Sequence, residues 1–185
     1  QAFEILTGIR VLDLTTSIAG PYATMLLSDF GAEVIKIERH GGDDSRHWGP
    51  PFLDGESLWF LSVNRNKRSL CLDYSGETGR AVLDALLDVV DVVVTNQTIE
   101  VQRKLGMDPQ SLRKGREKLI VASITGFGLS GPRSAMPCYD LIAEGYSGIM
   151  DLTGPASADP QKVGAPAADM LAGADAAMGV LAALF

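Results

Sequence analysis

The chain has 185 residues, 46% hydrophobic and 21% charged, with a formal net charge of -7 at pH 7. That length suits one domain, or one and a piece of another, and the composition excludes a disordered tail or a collagen-like repeat. The acidic balance argues against nucleic acid as a main partner, and no apolar run approaches the roughly 18 residues of a membrane span.

The first element is a β-rich run over residues 9–14, IRVLDL, followed by small and polar residues and a Gly-Pro. Pro21 sits where a first helical turn tolerates it. Residues 22–30 read as a helix and Gly31 as its C′ residue. Residues 33–38, EVIKIE, are the next strand, completing a span the size of a βαβ unit. The polar stretch 40–55 reads as a surface loop. A short helix over 57–63, a strand over 68–72 and a helix over 76–88 follow. That helix places Val82, Leu83, Leu86 and Leu87 on one side. Residues 90–94 form a nearly continuous apolar strand, as expected for a sheet buried on both faces. Short helices over 99–105 and 109–116, a buried strand over 119–124 and a helix over 139–150 come next. Residues 151–166 are a Gly/Pro/Ala-rich connection. The final helix runs from Asp169 to Phe185 without a stop signal, which reads as a piece of a longer protein. Alternating strands and helices imply an α/β fold with a mostly parallel sheet.

Cys71 and Cys138 make no disulfide framework and fit a reducing compartment, so the expected setting is cytoplasmic. No signal peptide is visible at the N-terminus. His40 and His47 lack metal-ligand spacing and read as surface residues. Cys138 has no local base pattern and reads as a bystander thiol. Gly126-Phe-Gly128-Leu-Ser-Gly131 matches GxGxxG after a strand. Pro132 and Pro137, however, occupy the place of the helix that would steady a pyrophosphate, so a close-packed glycine loop is the better reading.

Two further features could carry chemistry. Asn64-Arg65-Asn66-Lys67-Arg68 is the most basic stretch; it is either a solvated turn or, with Arg39, an anchor for a phosphate-bearing ligand. Asp169 opens the last helix. It is either an N-cap or a carboxylate oriented and kept ionised by the helix start, able to attack an acyl group.

Several segments come together in order: Gly8-Ile-Arg-Val-Leu-Asp-Leu-Thr15, Ala19-Gly-Pro21, Leu27-Ser-Asp-Phe-Gly-Ala-Glu-Val-Ile-Lys-Ile-Glu-Arg39 and Asn66-Lys-Arg-Ser69. Ser123-Ile-Thr-Gly-Phe-Gly128, Gly131-Pro132, Tyr139-Asp-Leu-Ile-Ala143 and Val163-Gly-Ala-Pro-Ala-Ala-Asp169 continue the series. The whole pattern resembles the class III (CaiB/BaiF-type) coenzyme A transferases, whose relatives include formyl-CoA transferase and α-methylacyl-CoA racemase. The resemblance implies a Rossmann-like, mostly parallel sheet with flanking helices. Residues 1–185 would be the N-terminal part of the large domain of a longer chain, whose two copies interlock as a homodimer.

The resemblance also implies a reaction. CoA moves from an acyl-CoA to a carboxylic acid through covalent intermediates on Asp169. CoA is a substrate, with no permanently bound cofactor and no metal, and neither nucleic acid nor membrane is a partner. CoA contacts are implied for Ser17, Ile18 and Ala19, for Arg39, near Leu72, and for Asn96 and Lys104; Tyr139 would line the acyl or CoA site. Two departures from the family pattern stand out. Asn96-Gln97-Thr98-Ile99-Glu100 replaces Asn-Phe-x-Pro-Gly, and Tyr139 stands where racemase members carry a His. Tyrosine, with a pKa near 10, is a poor base at neutral pH, which favours transfer over racemisation. The alternatives are an acyl-CoA racemase or epimerase, and a non-catalytic partner subunit.

Overall fold

The structure, a computed structural model, describes residues 4–185. Five parallel strands form the central sheet: β1 (Arg10–Leu14), β2 (Glu33–Glu38), β5 (Lys67–Cys71), β6 (Val92–Thr95) and β7 (Ile120–Ser123), in the order β5-β2-β1-β6-β7. The chain therefore builds outward from β1 on one side, then returns to add β6 and β7 on the other. The reversal lies between β1 and β6, where the loops leaving the two strands diverge and open a crevice.

Helices cover both faces. Side chains alternate along each strand, so β1 sends Val11 to one face and Leu12 and Leu14 to the other. Leu12, Leu14 and Val93 pack with Leu83 and Leu87 of α3 (Glu77–Leu87) and with Leu112 of α5 (Pro109–Arg113). Val11, Val34, Val92 and Val94 pack with Leu27 of α1 (Ala19–Asp29) and with Ala177 and Val180 of α7 (Ala167–Leu184). Burial on both faces explains why β6 opens with three consecutive valines. Leu83 is fully buried; truncation to Ala would cost about 2–5 kcal/mol.

The rest of the chain supplies α2 (Leu58–Asn64), α4 (Ile99–Lys104) and α6 (Asp140–Ser147). Ser57 starts α2 by accepting the Phe60 N–H, and Gly148 ends α6 in the left-handed conformation. The stretch 40–55, read as a surface loop, holds a 3-10 turn (Asp44–His47) and β3 (Phe52–Leu53), which pairs antiparallel with β4 (Glu56–Ser57) just beyond it. Strands two residues long carry no periodicity for a sequence to display. In α3, Leu83 and Leu87 face the core but Val82 is exposed.

The expectation that no run approaches the length of a membrane span needs correction: α7 has 18 residues with mean hydropathy 1.4, and by length and composition it is apolar enough to cross one. Its Gly173, Ala177 and Val180 stripe is buried, and its neighbours are α1, α6 and β7.

Candidate active site

The crevice at the carboxyl ends of β1 and β6 holds a cavity of about 370 Å³. Ser17 and Asn96 line it from the two strand loops, Ala19 from the start of α1, Tyr139 from the start of α6, and Asp169 from the first turn of α7. A second cavity of about 310 Å³ lies beside β2, lined by Arg39 and Leu72. Thr16 and Gln97 line both, so the two spaces adjoin.

The loop after β1 is held from several sides. Asn96 accepts the Thr16 N–H at 3.0 Å and donates to the Thr16 carbonyl at 2.7 Å. Its amide thus staples the two strand loops together across the crevice. Ser17 adopts φ 70°, a region that non-glycine residues rarely enter. Its N–H donates to Asp43 Oδ1 at 3.2 Å. Asp43 Oδ1 also accepts from the N–H and hydroxyl of Ser45.

Beneath this loop lies a buried ionic network that the sequence does not reveal. Lys36 Nζ donates to the Thr15 carbonyl at 2.8 Å and pairs with Asp43 at 2.9 Å. Lys67 Nζ pairs with Asp13 at 3.0 Å and donates to the Pro21 carbonyl at 2.8 Å. Burial pushes the Lys67 ammonium down to about 8, Lys36 adding to the effect and Asp13 opposing it. Burial would raise the Asp13 carboxyl. Lys67, Lys36 and hydrogen bonds from Thr15 and Thr24 outweigh it and hold the group well below the usual range.

Asp169 is not the N-cap of α7. Pro166 holds that position without a side-chain bond, and Asp169 is the third helical residue. The cap comes from α6, where Asp140 Oδ1 accepts the Ala168 N–H at 2.9 Å and the Asp169 N–H at 3.3 Å. Nor is Asp169 simply kept ionised by the helix start. Burial and the neighbouring Asp140 charge push its carboxyl up to about 6, against the pull of Lys162. At pH 7 roughly nine-tenths of such a group is ionised, and its raised basicity makes it a better nucleophile than an ordinary carboxylate.

The other sequence candidates fall into place unevenly. Arg39 lies at the second cavity but pairs with Asp44. Ile18 is buried and lines neither cavity. Lys104, at the end of α4, is exposed and lines neither cavity. The basic cluster is not a phosphate anchor beside Arg39. Arg65 and Asn66 bind Asp29, Arg68 pairs with Glu33, and Lys67 is buried. The cluster leads into the amino end of β5, and the parallel register pairs Glu38, beside Arg39, with Cys71 at the other end. Lys67 is also not solvated, because Asp13 compensates its burial.

Gly126 lines the first cavity with no nucleotide-type helix behind it. A Cβ there would lie 1.9 Å from the Cys138 Cβ, so the glycine permits that close approach. Cys138 also lines the cavity; burial and the nearby Asp169 charge push its thiol up, which suits a bystander. His40 and His47 are exposed and line neither cavity.

Known proteins resemble this chain along nearly its whole length. The family profile described as CoA-transferase family III matches residues 6–185. Succinyl-CoA:glutarate CoA-transferase of Mus musculus is 44% identical, covering 100% of this chain and 42% of the relative. Succinyl-CoA:mesaconate CoA-transferase of Haloarcula hispanica is 43% identical, covering 97% of this chain and 47% of the relative. The crystal structure of a CaiB/BaiF family protein from Brucella suis superposes with a TM-score of 0.92 at 40% identity, covering 97% of this chain and 48% of that one. The chain belongs to CoA-transferase family III, and it spans less than half the length of these relatives.

Proposed function

We propose that this family III chain is the N-terminal part of the large domain of a CoA transferase that moves coenzyme A from an acyl-CoA to a carboxylic acid. The observation that carries the proposal is the position of Asp169, a half-buried carboxylate of raised pKa at the crevice where β1 and β6 diverge. The adjoining cavities suit an elongated substrate. The thioester would lie in the first, near Asp169, and the phosphate-bearing end in the second, where Arg39 offers a charge-assisted contact. Ser17, Ala19 and Asn96 would shape the passage, Leu72 would pack against the nucleotide end, and Tyr139 would face the acyl group.

In the proposed reaction an Asp169 oxygen bonds to the acyl carbon and the C–S bond breaks, its electron pair leaving with the CoA sulfur. The thiolate then attacks the aspartyl carbonyl of the mixed anhydride. The donor leaves as a carboxylate and Asp169 becomes a CoA thioester. The acceptor carboxylate attacks that carbonyl and expels the thiolate again. The thiolate finally attacks the acceptor's acyl carbon, releasing the new acyl-CoA and free Asp169. Each covalent step replaces part of a harder direct transfer.

The names of the relatives support dicarboxylic acids as donor and acceptor. CoA is the substrate, with no permanent cofactor. The longer protein would act as an interlocked homodimer, and the two free cysteines support a cytoplasmic setting. A racemase reading is less well supported, because no histidine among the described residues lines the cavity of Asp169.

The test is to incubate the full-length protein with succinyl-CoA, trap with hydroxylamine or borohydride, and map the modified peptide by mass spectrometry. Modification at Asp169 is expected. Active transfer with an unmodified Asp169 overturns the assignment. Deuterium washing into the α-carbon without transfer favours racemisation instead.

A further inference from the structure

We propose that Asp140 and Lys162 form a positioning pair that sets both the place and the charge state of Asp169. The proposal rests on the nucleophilic role given to Asp169 above and adds to it the two residues that control that group.

The geometry joins two elements that the sequence keeps apart. Asp140 is the first residue of α6 and is buried. Its Oδ1 takes the backbone N–H groups of Ala168 and Asp169, so one oxygen ties down the first turn of α7. Its Oδ2 is buried without a hydrogen bond and lies 3.4 Å from Lys162 Nζ. One turn further along α6, the fully buried Glu144 accepts the Val163 N–H on Oε2 at 3.0 Å. Its Oε1, also without a hydrogen bond, lies 4.0 Å from the same ammonium. Two carboxylates of α6 therefore grip the segment 162–169 from beneath, and Lys162 is the ion-pair partner of both.

This arrangement gives Asp140 two separable tasks. As an acceptor it fixes the Asp169 backbone, because two donors at a helix start need a partner. As a charge it disfavours ionisation of a neighbouring carboxylate, and Lys162 counters it. The other titratable groups lining this cavity are Cys138 and Tyr139. The Cys138 thiol, pushed up by its surroundings, contributes no charge near neutrality. Burial makes the largest contribution to the raised Asp169 carboxyl, and the balance between Asp140 and Lys162 tunes it from there.

Asp140→Asn separates the tasks, since an amide oxygen still accepts both N–H groups while the charge is gone. Lys162→Gln removes the countercharge and leaves Asp140 in place. Two readouts are taken on the full-length protein. One is the acid limb of kcat/KM for succinyl-CoA against pH. The other is the Asp169 carboxyl titration by 13C NMR, its resonance assigned by loss in Asp169→Asn. Asp140→Asn is expected to move both midpoints down by about one pH unit, and Lys162→Gln to move both up by a similar amount. Asp140→Ala is expected to cut the rate of Asp169 acylation about tenfold below that of Asp140→Asn, because the helix start loses its anchor.

Midpoints that stay put, or that move in the same direction in both variants, overturn the charge role. Equal acylation rates in Asp140→Ala and Asp140→Asn overturn the anchoring role. The NMR titration needs no turnover, which keeps the two proposals apart. Opposite shifts with no acylation at Asp169 would remove the transfer mechanism and leave the pair intact. Acylation without the shifts would do the reverse.

Discussion

Gly173 lies against the main chain of Ala19: a Cβ at position 173 would fall 2.5 Å from the Ala19 carbonyl oxygen and 3.0 Å from the Tyr22 ring. Gly173 stands about one helical turn beyond Asp169, and Ala19 follows the loop stapled by Asn96. The closeness of these two helices therefore sets the closeness of the aspartate to the crevice. Gly173→Ala should push α7 away and cost about 1–3 kcal/mol through overpacking. Thermal denaturation of the full-length protein would show the lost stability. Single-turnover trapping would show acylation slowed at least about tenfold, since small displacements of a nucleophile are costly.

Asp169→Asn should abolish the covalent intermediate, with transfer falling by about 10³ or more. It should also stabilise the protein above pH 6. The native carboxyl titrates at about 6 against a reference of 3.8, so the folded state holds its proton more tightly than the unfolded chain. That contribution is fully present below the unfolded pKa and is lost as pH rises through about 6. The variant should therefore exceed the parent by about 1–2 kcal/mol at pH 8, with the gain shrinking towards pH 4. Urea denaturation across that range reads the difference.

Glu38 has the opposite sign. It is buried; that alone would raise its carboxyl, but Arg46, Ser69 and the Asp43 N–H pull it down to about 2 from 4.5. Its contribution is present above the unfolded pKa and disappears as pH falls from about 4.5 through about 2. Glu38→Gln should cost about 3 kcal/mol at pH 7 and almost nothing near pH 2. Parallel acid titrations of parent and variant, followed by circular dichroism, would detect the convergence.

Arg39→Ala should raise KM for the acyl-CoA about tenfold with little change in kcat, because its phosphate contact is the same in ground and transition states. Arg68→Ala should leave KM alone, since Arg68 pairs with Glu33 near the amino ends of the strands. Steady-state kinetics on both variants would separate an anchor at the crevice from a basic cluster away from it. An equal KM increase in both would restore the cluster as a phosphate site.

The fold is largely legible from local pattern. The strands at 33–38, 90–94 and 119–124 and the helix at 76–88 announce themselves through apolar runs or periodicity, because each buries side chains at regular intervals. The site is legible only in part. Ser17, Ala19, Asn96, Tyr139 and Asp169 meet at one cavity, but Ile18 is buried and Lys104 lies elsewhere. Lys36 lies in a strand whose pattern alone does not show that its ammonium is buried. It is buried because Asp43, seven residues on, and the Thr15 carbonyl in the neighbouring strand's loop receive its charge. The Asp140 cap carries no local sequence signal, because helix caps usually lie next to the helix and this one comes from 28 residues away.

The sequence alone determined the layering, the strand and helix order for most of the chain, the family resemblance and the choice of Asp169. The layering and the element order depend on residue type and short-range spacing, which burial and helical geometry impose on any chain of this kind; spacing left Asp169 open between a cap and a nucleophile, and the resemblance implied the second. The tertiary structure alone decided which charges are free and which are consumed. It turned the basic cluster away from the crevice and drew Asp140 under Asp169. It also made that aspartate a group that titrates near 6. Charge and pKa depend on distance and solvent access between remote segments, and only the folded chain brings those segments together.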